Sequence, residues 1–220
     1  MAHSFCVSRS ILLSVNVRVL SLVLLPAAIL RSTTPPVAFV PTVSANYRYN
    51  IVVQIPHMSE IFPIVTLDGQ VVGQASRAHC HDGSHLLHPV VHLHVFSPSG
   101  ELYLQRRAMH KGLLPGYWDT AVGGHVSFGE SIKQALAREV AEEIGITDYV
   151  PEHIETYRYD SDRESEMVHV FRTTYAGPFV WNDGEVMDGK FWSLDELREA
   201  MGKGILTPNL EMELLRFGFI

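Results

Sequence analysis

Apolar positions along the chain fall into short runs separated by turn residues, and their period first changes near residue 131. Ile61–Leu67 is apolar and β-branched and ends at Asp68-Gly69, which predicts a strand opening a hairpin. Val91, Leu93 and Val95 alternate with His92 and His94, the period of a strand. Ser97-Pro98-Ser99-Gly100 turns the chain into a second strand, Glu101–Gln105, and Pro115-Gly116 marks a turn before a third, Trp118–Val122. From Ser131 the spacing lengthens: Ile132, Leu136, Val140 and Ile144 form an apolar stripe that predicts a helix over Ser131–Ile144, with Gly145 where a C-terminal cap belongs. Strands are expected again at His153–Tyr159, Glu164–Tyr175 and Lys190–Trp192. Ser193 with Glu196 is a capping box for a short helix ending near Gly202, and Thr207-Pro208 opens a last helix. Strands, a helix and strands again suggest a mixed sheet between helices, an α/β fold.

The pattern stops at the N-terminal side of residue 58. Residues 1–59 hold no Asp or Glu, and Arg9, Arg18, Arg31 and Arg48 are their only basic residues. All 24 acidic residues lie beyond, with 13 of the 17 basic ones. Residues 1–57 therefore read as a leader outside the folded domain, and 58–220 as that domain. Three readings of the leader stand. Translation starts at Met58; or Arg9, Arg18 and the apolar run Val19–Leu30 form a secretory signal with a weak cleavage site at Val43-Ser44-Ala45; or the acid-free, Arg-bearing stretch is a transit segment. The first implies a cytoplasmic protein, the others an exported or organellar one. A stable membrane anchor is not expected, because Asn16, Arg18 and Pro26 interrupt Ile11–Leu30.

The 220 residues, 46% hydrophobic, suffice for one well-buried core. A net charge of −7 argues against gripping a nucleic-acid polymer, while a small phosphorylated ligand neutralised by metal ions stays compatible with it. Two cysteines, Cys6 and Cys80, make neither a disulfide framework nor a zinc pattern, although Cys80 lies among His79, His81, His85 and His88.

Candidate chemistry centres on the long helix. Glu139, Glu142 and Glu143 stand at i, i+3 and i+4 and are expected on one face, opposite the apolar stripe. Three carboxylates so placed repel one another unless a hard cation, Mg²⁺ or Mn²⁺, joins them. Glutamates on a helix usually form a solvated face, but the flanking residues outweigh that reading here. Gly124, Glu130 after five residues, and Arg138-Glu139-Val140-Ala141-Glu142-Glu143-Ile144-Gly145-Ile146 after seven more match every specified position of the Nudix box. By average residue frequencies a chance match is on the order of one in ten million. The chain thus resembles the Nudix hydrolase superfamily. The resemblance implies an α/β/α sandwich with a mixed β-sheet and the box as a loop–helix–loop. It also implies metal ligation by Glu139, Glu142 and Glu143, with Arg138 orienting a box carboxylate and Glu130 pairing nearby.

Outside the box the chain is similar to isopentenyl diphosphate isomerase, itself a Nudix relative, from about His81 to Gly145 and again at Glu164–Glu166 and Glu185-Val186-Met187-Asp188. This second resemblance implies a metal site of His81, His88, His125, Glu164 and Glu166, a role for Glu143 at a substrate-linked metal, and diphosphate contacts from Arg107 and Lys111. It assigns nothing to His85, His92, His94 or His110, while Trp118 and Trp192 read as core. Two chemical parts of the isomerase are replaced: its proton-transferring cysteine falls at Gly123, and its carbocation-shielding tryptophan at Asn209.

A divalent-metal-dependent hydrolase of a diphosphate linkage, in a nucleoside diphosphate derivative or another organic diphosphate, is the expected activity. The alternatives are an isopentenyl diphosphate isomerase and a non-catalytic Nudix ligand sensor. The expected partner is a small-molecule diphosphate, and the sequence is compatible with a homodimer.

Overall fold

The computed structural model describes residues 60–181 and 184–220, so the readings of the leader lie outside the described residues. Among those residues no helix is long and apolar enough to cross a membrane.

Strands β1 (Ile61–Val65) and β2 (Val71–Ser76) form an antiparallel hairpin. Gly69 takes φ +79° in its turn, a conformation glycine adopts without steric cost. β1 ends earlier than the apolar run suggests, because the turn captures Thr66: its carbonyl accepts from Gly69 N–H, and its hydroxyl bonds Asp68. β2 leads directly into a single helical turn, α1 (Arg77–Cys80), capped by the Ser76 hydroxyl.

The main sheet is built on β3 (Leu87–Phe96), which runs parallel to β8 (Ser165–Thr174). β8 pairs in turn with β7 (Glu152–Asp160), antiparallel. On its other edge β3 is shared. Val95 and Phe96 pair with β4 (Leu102–Arg107), and Val90–Leu93 pair with β6 (Val122–His125). β4 also pairs with β5 (Trp118–Asp119) and β9 (Val186–Trp192). The expected single strand Trp118–Val122 is therefore two: β5 belongs to β4 and β6 to β3. Thr120 makes the step between them, its hydroxyl donating to the Leu93 carbonyl at 3.0 Å. β9 begins earlier than the expected Lys190–Trp192. Gly189 lies within the strand under the Tyr103 hydroxyl, which leaves no room for a Cβ.

Helix α2 (Ile132–Glu143) covers one face of the sheet. Ser131 caps it in a full capping box with Gln134, and Gly145 follows the C-cap with φ +68°. Its stripe residues Leu136, Val140 and Ile144 pack with Val91, Leu93, Val95 and Val122. Each such side chain contributes about 1.5–3 kcal/mol on burial. The opposite face is covered by α3 (Leu194–Ala200), with the expected Ser193–Glu196 box, and by α4 (Pro208–Arg216), with Thr207 as N-cap. There Leu197, Leu206, Leu210 and Leu214 pack on Leu102, Leu104 and Trp192, and Trp118 packs against this cluster. A mixed sheet between two helical layers is the expected α/β/α sandwich.

Candidate active site

Strand β6 positions the chemistry, because its two faces carry different parts of it. Gly124 looks toward α2, where a Cβ would collide with the Glu139 carboxyl; only glycine lets the helix come this close. Arg138 ties the region together. Its Nε and Nη2 donate to the two Glu130 oxygens at 3.0 and 2.9 Å, and its Nη1 donates to Glu139 at 2.6 Å and Glu142 at 3.2 Å. Nη2 also donates to the His125 carbonyl at 2.9 Å, fixing the helix to the end of β6. Glu130 is held below the usual carboxylate range by these guanidinium bonds, and Arg138 is held more firmly protonated by Glu130.

Of the three box glutamates only Glu142 stands away from the apolar stripe, as expected from its spacing. Glu143 follows Val140 by three residues, on the neighbouring side of the helix, and is buried. Its Oε2 accepts from Gln105 Nε2 at 2.7 Å and from Gly123 N–H at 3.3 Å. Burial, then the nearby Glu139, pushes its pKa up to about 8. Glu139 is also raised by burial, and Glu142 alone is half-exposed. Nor do the three converge on one point: Arg138 holds two of them, and Gln105 with the Gly123 amide holds the third. Their hard oxygen donors fit Mg²⁺ or Mn²⁺ in kind, and a cation beside Glu143 and Glu139 would relieve a buried repulsion.

The other face of β6 carries His125. His88 projects from β3, His81 follows α1, and Glu164 directly precedes β8. One ligand atom from each of His81, His88, His125 and Glu164 lies within 4.8 Å of all the others, the one such convergent group among the described residues. His81 Nε2 is 3.1 Å from His125 Nε2 and 3.0 Å from Glu164 Oε2. Cys80 is buried and free, and it stands outside this group. Glu166 is the strand partner of His88 and stands one step out, its Oε1 3.9 Å from His125 Nε2.

The group has the marks of a cation site. His88 Nε2 and Glu164 Oε2 are buried with no hydrogen-bond partner, and buried lone pairs are costly unless something accepts them. His88 Nδ1 lies 2.8 Å from the Leu86 carbonyl, a backbone contact that leaves Nε2 as the lone-pair nitrogen. Burial first, and then Arg77, lowers His81 to about 4 and holds His125 well below its ordinary 6.5, so both imidazoles are neutral ligands at neutral pH. Burial raises Glu166 to about 7. Three imidazoles with carboxylates suit a divalent transition metal such as Mn²⁺.

Two residues the sequence reading left out frame this group. Phe62 of β1 stacks on His125 with ring centroids 4.4 Å apart and on His88 at 5.5 Å, covering one side of the cluster. Arg77 of α1 places Nη1 3.4 Å from His125 Nδ1 and 2.7 Å from Glu60. A cation on His125 Nε2 requires a proton on Nδ1, which then faces a guanidinium that has no lone pair. Arg77 therefore opposes cation binding electrostatically. No sequence spacing announces either contact. Arg107 and Lys111, expected at the diphosphate, are paired with carboxylates: Arg107 Nη1 donates to Asp119 at 2.8 Å, and Lys111 bonds Glu185. Both are partly exposed at the ends of β4 and its following loop and would have to exchange these partners for phosphate.

Comparison with known proteins places the chain in a family. The family model of the NUDIX domain matches residues 86–210, more than half of the chain. The chain belongs to the Nudix family. An isopentenyl-diphosphate Delta-isomerase of Mycolicibacterium vanbaalenii is 35% identical over 152 residues, covering 64% of this chain and 82% of that protein. An uncharacterized Nudix hydrolase of Pseudomonas aeruginosa is 35% identical over 97 residues, 44% of this chain and 57% of its own length. Among solved structures, DR0079 from Deinococcus radiodurans superposes with a TM-score of 0.63 over 72% of this chain and 99% of its own, at 22% identity. This last likeness speaks for the Nudix fold alone.

Proposed function

We propose that this Nudix protein hydrolyses a diphosphate linkage in a nucleoside diphosphate derivative or another organic diphosphate, with Mg²⁺ or Mn²⁺. The observation that carries the reading is the complete box around Arg138, with Glu130, Glu139 and Glu142 on one guanidinium and Glu143 buried behind them. When bound at these carboxylates, a divalent cation neutralises diphosphate charge and lowers the pKa of bound water. The chain's own residues supply the rest. Arg138 orients Glu139 and Glu142. Glu142, half-exposed with its Oε2 on Arg138, takes the proton of an attacking water with its other oxygen. Arg107 and Lys111 at the rim release Asp119 and Glu185 to grip phosphate oxygens. His81, His88, His125, Glu164 and Glu166 form a second cation site.

Isomerase activity is the second reading, favoured by the 35% identity to an isopentenyl-diphosphate isomerase. Gly123 weighs against it, because glycine has no side chain with which to move a proton. A ligand sensor is disfavoured by the intact box carboxylates. The test is to incubate the full-length protein with nucleoside diphosphate sugars, dinucleoside polyphosphates, dNTPs, NADH and isopentenyl diphosphate, with Mg²⁺ or Mn²⁺, and to resolve products by mass. A phosphorylated cleavage product supports hydrolysis. Rearranged isopentenyl diphosphate, or binding without turnover of any compound, moves the reading to the isomerase or the sensor.

A further inference from the structure

On the face of β3 turned away from α2 lies a group of buried polar side chains that the proposed hydrolysis leaves without a task. Glu213 of α4 is fully buried. Its Oε1 accepts from His92 Nδ1 at 2.8 Å and from the Tyr157 hydroxyl at 2.6 Å, and its Oε2 accepts from His94 Nε2 at 2.8 Å. A carboxylate receiving three donors is an ionised acceptor, which places a proton on His92 Nδ1.

The other nitrogen of His92 is left over. Nε2 has no hydrogen-bond partner among the described residues, yet it is not sealed from solvent as His88 Nε2 is. It faces the gap at Gly123. A Cβ there would stand 3.7 Å from His92 Nε2 and 3.6 Å from Cδ2, so the missing side chain keeps this nitrogen open. His92 is the ladder partner of Gly123, and His125 lies two residues farther along β6 on the same face. The open nitrogen is therefore a neighbour of the His/Glu group and of the strand that carries the box glycine. Burial opposes a charge on His92, but Glu213, with Glu166 and Asp119 farther off, outweighs it and raises the imidazole to about 9.

We infer that His92 is a substrate-binding residue whose Nε2–H, in the gap beside Gly123, donates a hydrogen bond to an oxygen of the bound diphosphate compound. The inference rests on the proposed binding of a diphosphate at this site. The oxygen belongs either to a phosphate or to a hydroxyl of the organic part. A hydrocarbon in the gap would bury the N–H without a partner, so a substrate offering oxygen there is preferred over one that does not.

The test is calorimetric binding to the full-length protein, with Ca²⁺ in place of Mg²⁺, of three probes: inorganic pyrophosphate, isopentenyl diphosphate and ADP-ribose. His92→Asn keeps an N–H near the Nδ1 position for Glu213 and removes Nε2; His92→Gln restores an N–H near the Nε2 position. His92→Asn is expected to weaken ADP-ribose about tenfold, the scale of one lost charge-assisted hydrogen bond, and His92→Gln to recover part of the loss. Weakening of ADP-ribose alone assigns the oxygen to a hydroxyl; equal weakening of all three probes assigns it to phosphate. Unchanged affinities in a folded His92→Asn variant overturn the inference, as does the failure of every probe to bind the wild type. Should His92→Asn not fold, His92→Gln is read alone: a partial loss of ADP-ribose affinity supports the role, and unchanged affinities for all three probes overturn it. Binding is read without turnover, so a protein that discriminates through His92 but hydrolyses nothing defeats the hydrolase reading and leaves this one standing.

Discussion

Glu139, Glu142 and Glu143 on one side of β6, and His81, His88, His125 and Glu164 on the other, are both sets of metal-ligand types, and the fold leaves them in opposite states. The box carboxylates have their needs met by the chain. Arg138 supplies the counter-charge for two, and Gln105 with a backbone amide supplies hydrogen bonds to the third. The histidine side keeps two buried polar atoms without a hydrogen bond, His88 Nε2 and Glu164 Oε2, and presses three imidazoles together beneath Phe62. A cation at the box must compete with existing donors, whereas one at the histidines fills a vacancy in the hydrogen bonding. The box side is thus suited to a cation that arrives with its diphosphate, and the histidine side to one that is held beforehand.

That contrast can be broken by removing one side at a time. Glu142→Gln is expected to lower kcat/KM by about 10³-fold, the range of a lost general base, with an unchanged thermal midpoint because the side chain is half-exposed; near-normal turnover would remove Glu142 from the chemistry. His88→Ala is expected to weaken Mn²⁺ binding by at least about 100-fold in calorimetry while the box stays folded, a larger loss than removing a group that merely orients a ligand produces. Unchanged affinity would argue against the histidine site.

A pH series separates the metal groups from the buried network behind them. His92 is raised above its ordinary 6.5, so the stability it contributes is full below that value and is lost as pH rises through about 9. Glu213 is lowered, because the two imidazoles outweigh its burial, so its contribution is present above 4.5 and is lost as pH falls through its depressed value. The thermal midpoint should therefore hold between about pH 5 and 6.5, decline from there to about pH 9, and decline again in acid. Tyr157, His94, Asp119 and Glu166 share this environment, so Glu213→Gln is the control that should flatten the alkaline decline.

Arg77→Ala sharpens the comparison in the other direction. Removing the guanidinium beside His125 should tighten Mn²⁺ at the histidines by about three- to tenfold at low ionic strength and less in salt. Looser binding would give Arg77 a supporting role instead. The smallest effect is expected at the start of α2, where Ser131→Ala should cost about 1 kcal/mol in chemical denaturation, since it removes one side of the capping box.

What could be read in the sequence follows from the range of the interactions. The stripe Leu136, Val140 and Ile144 and the caps at Ser193 and Thr207 are local, and the helices form where those signals stand. The split of Trp118–Val122 was not legible, because the choice between β4 and β3 as partner is made by residues far away in the chain. The box glutamates were identified by spacing, but their burial was not: helical period shows which residues share a side, and the packing of Gly124 on Glu139 decides how deep that side lies. His92 and Glu213 are 121 residues apart, and the alternation that predicted β3 gave no sign that a carboxylate from the last helix would reach it. Phe62 and Arg77 were hidden for the same reason.

The most direct test of the hydrolase reading is to run ADP-ribose and isopentenyl diphosphate side by side in ¹⁸O-labelled water with Mg²⁺, using the wild type and Glu142→Gln, and to weigh the products. Hydrolysis at the box predicts a phosphorylated cleavage product carrying one ¹⁸O from the wild type, its near-disappearance in the variant, and no rearrangement of isopentenyl diphosphate. Allylic rearrangement with no labelled phosphate released, unaffected by Glu142→Gln, would contradict it.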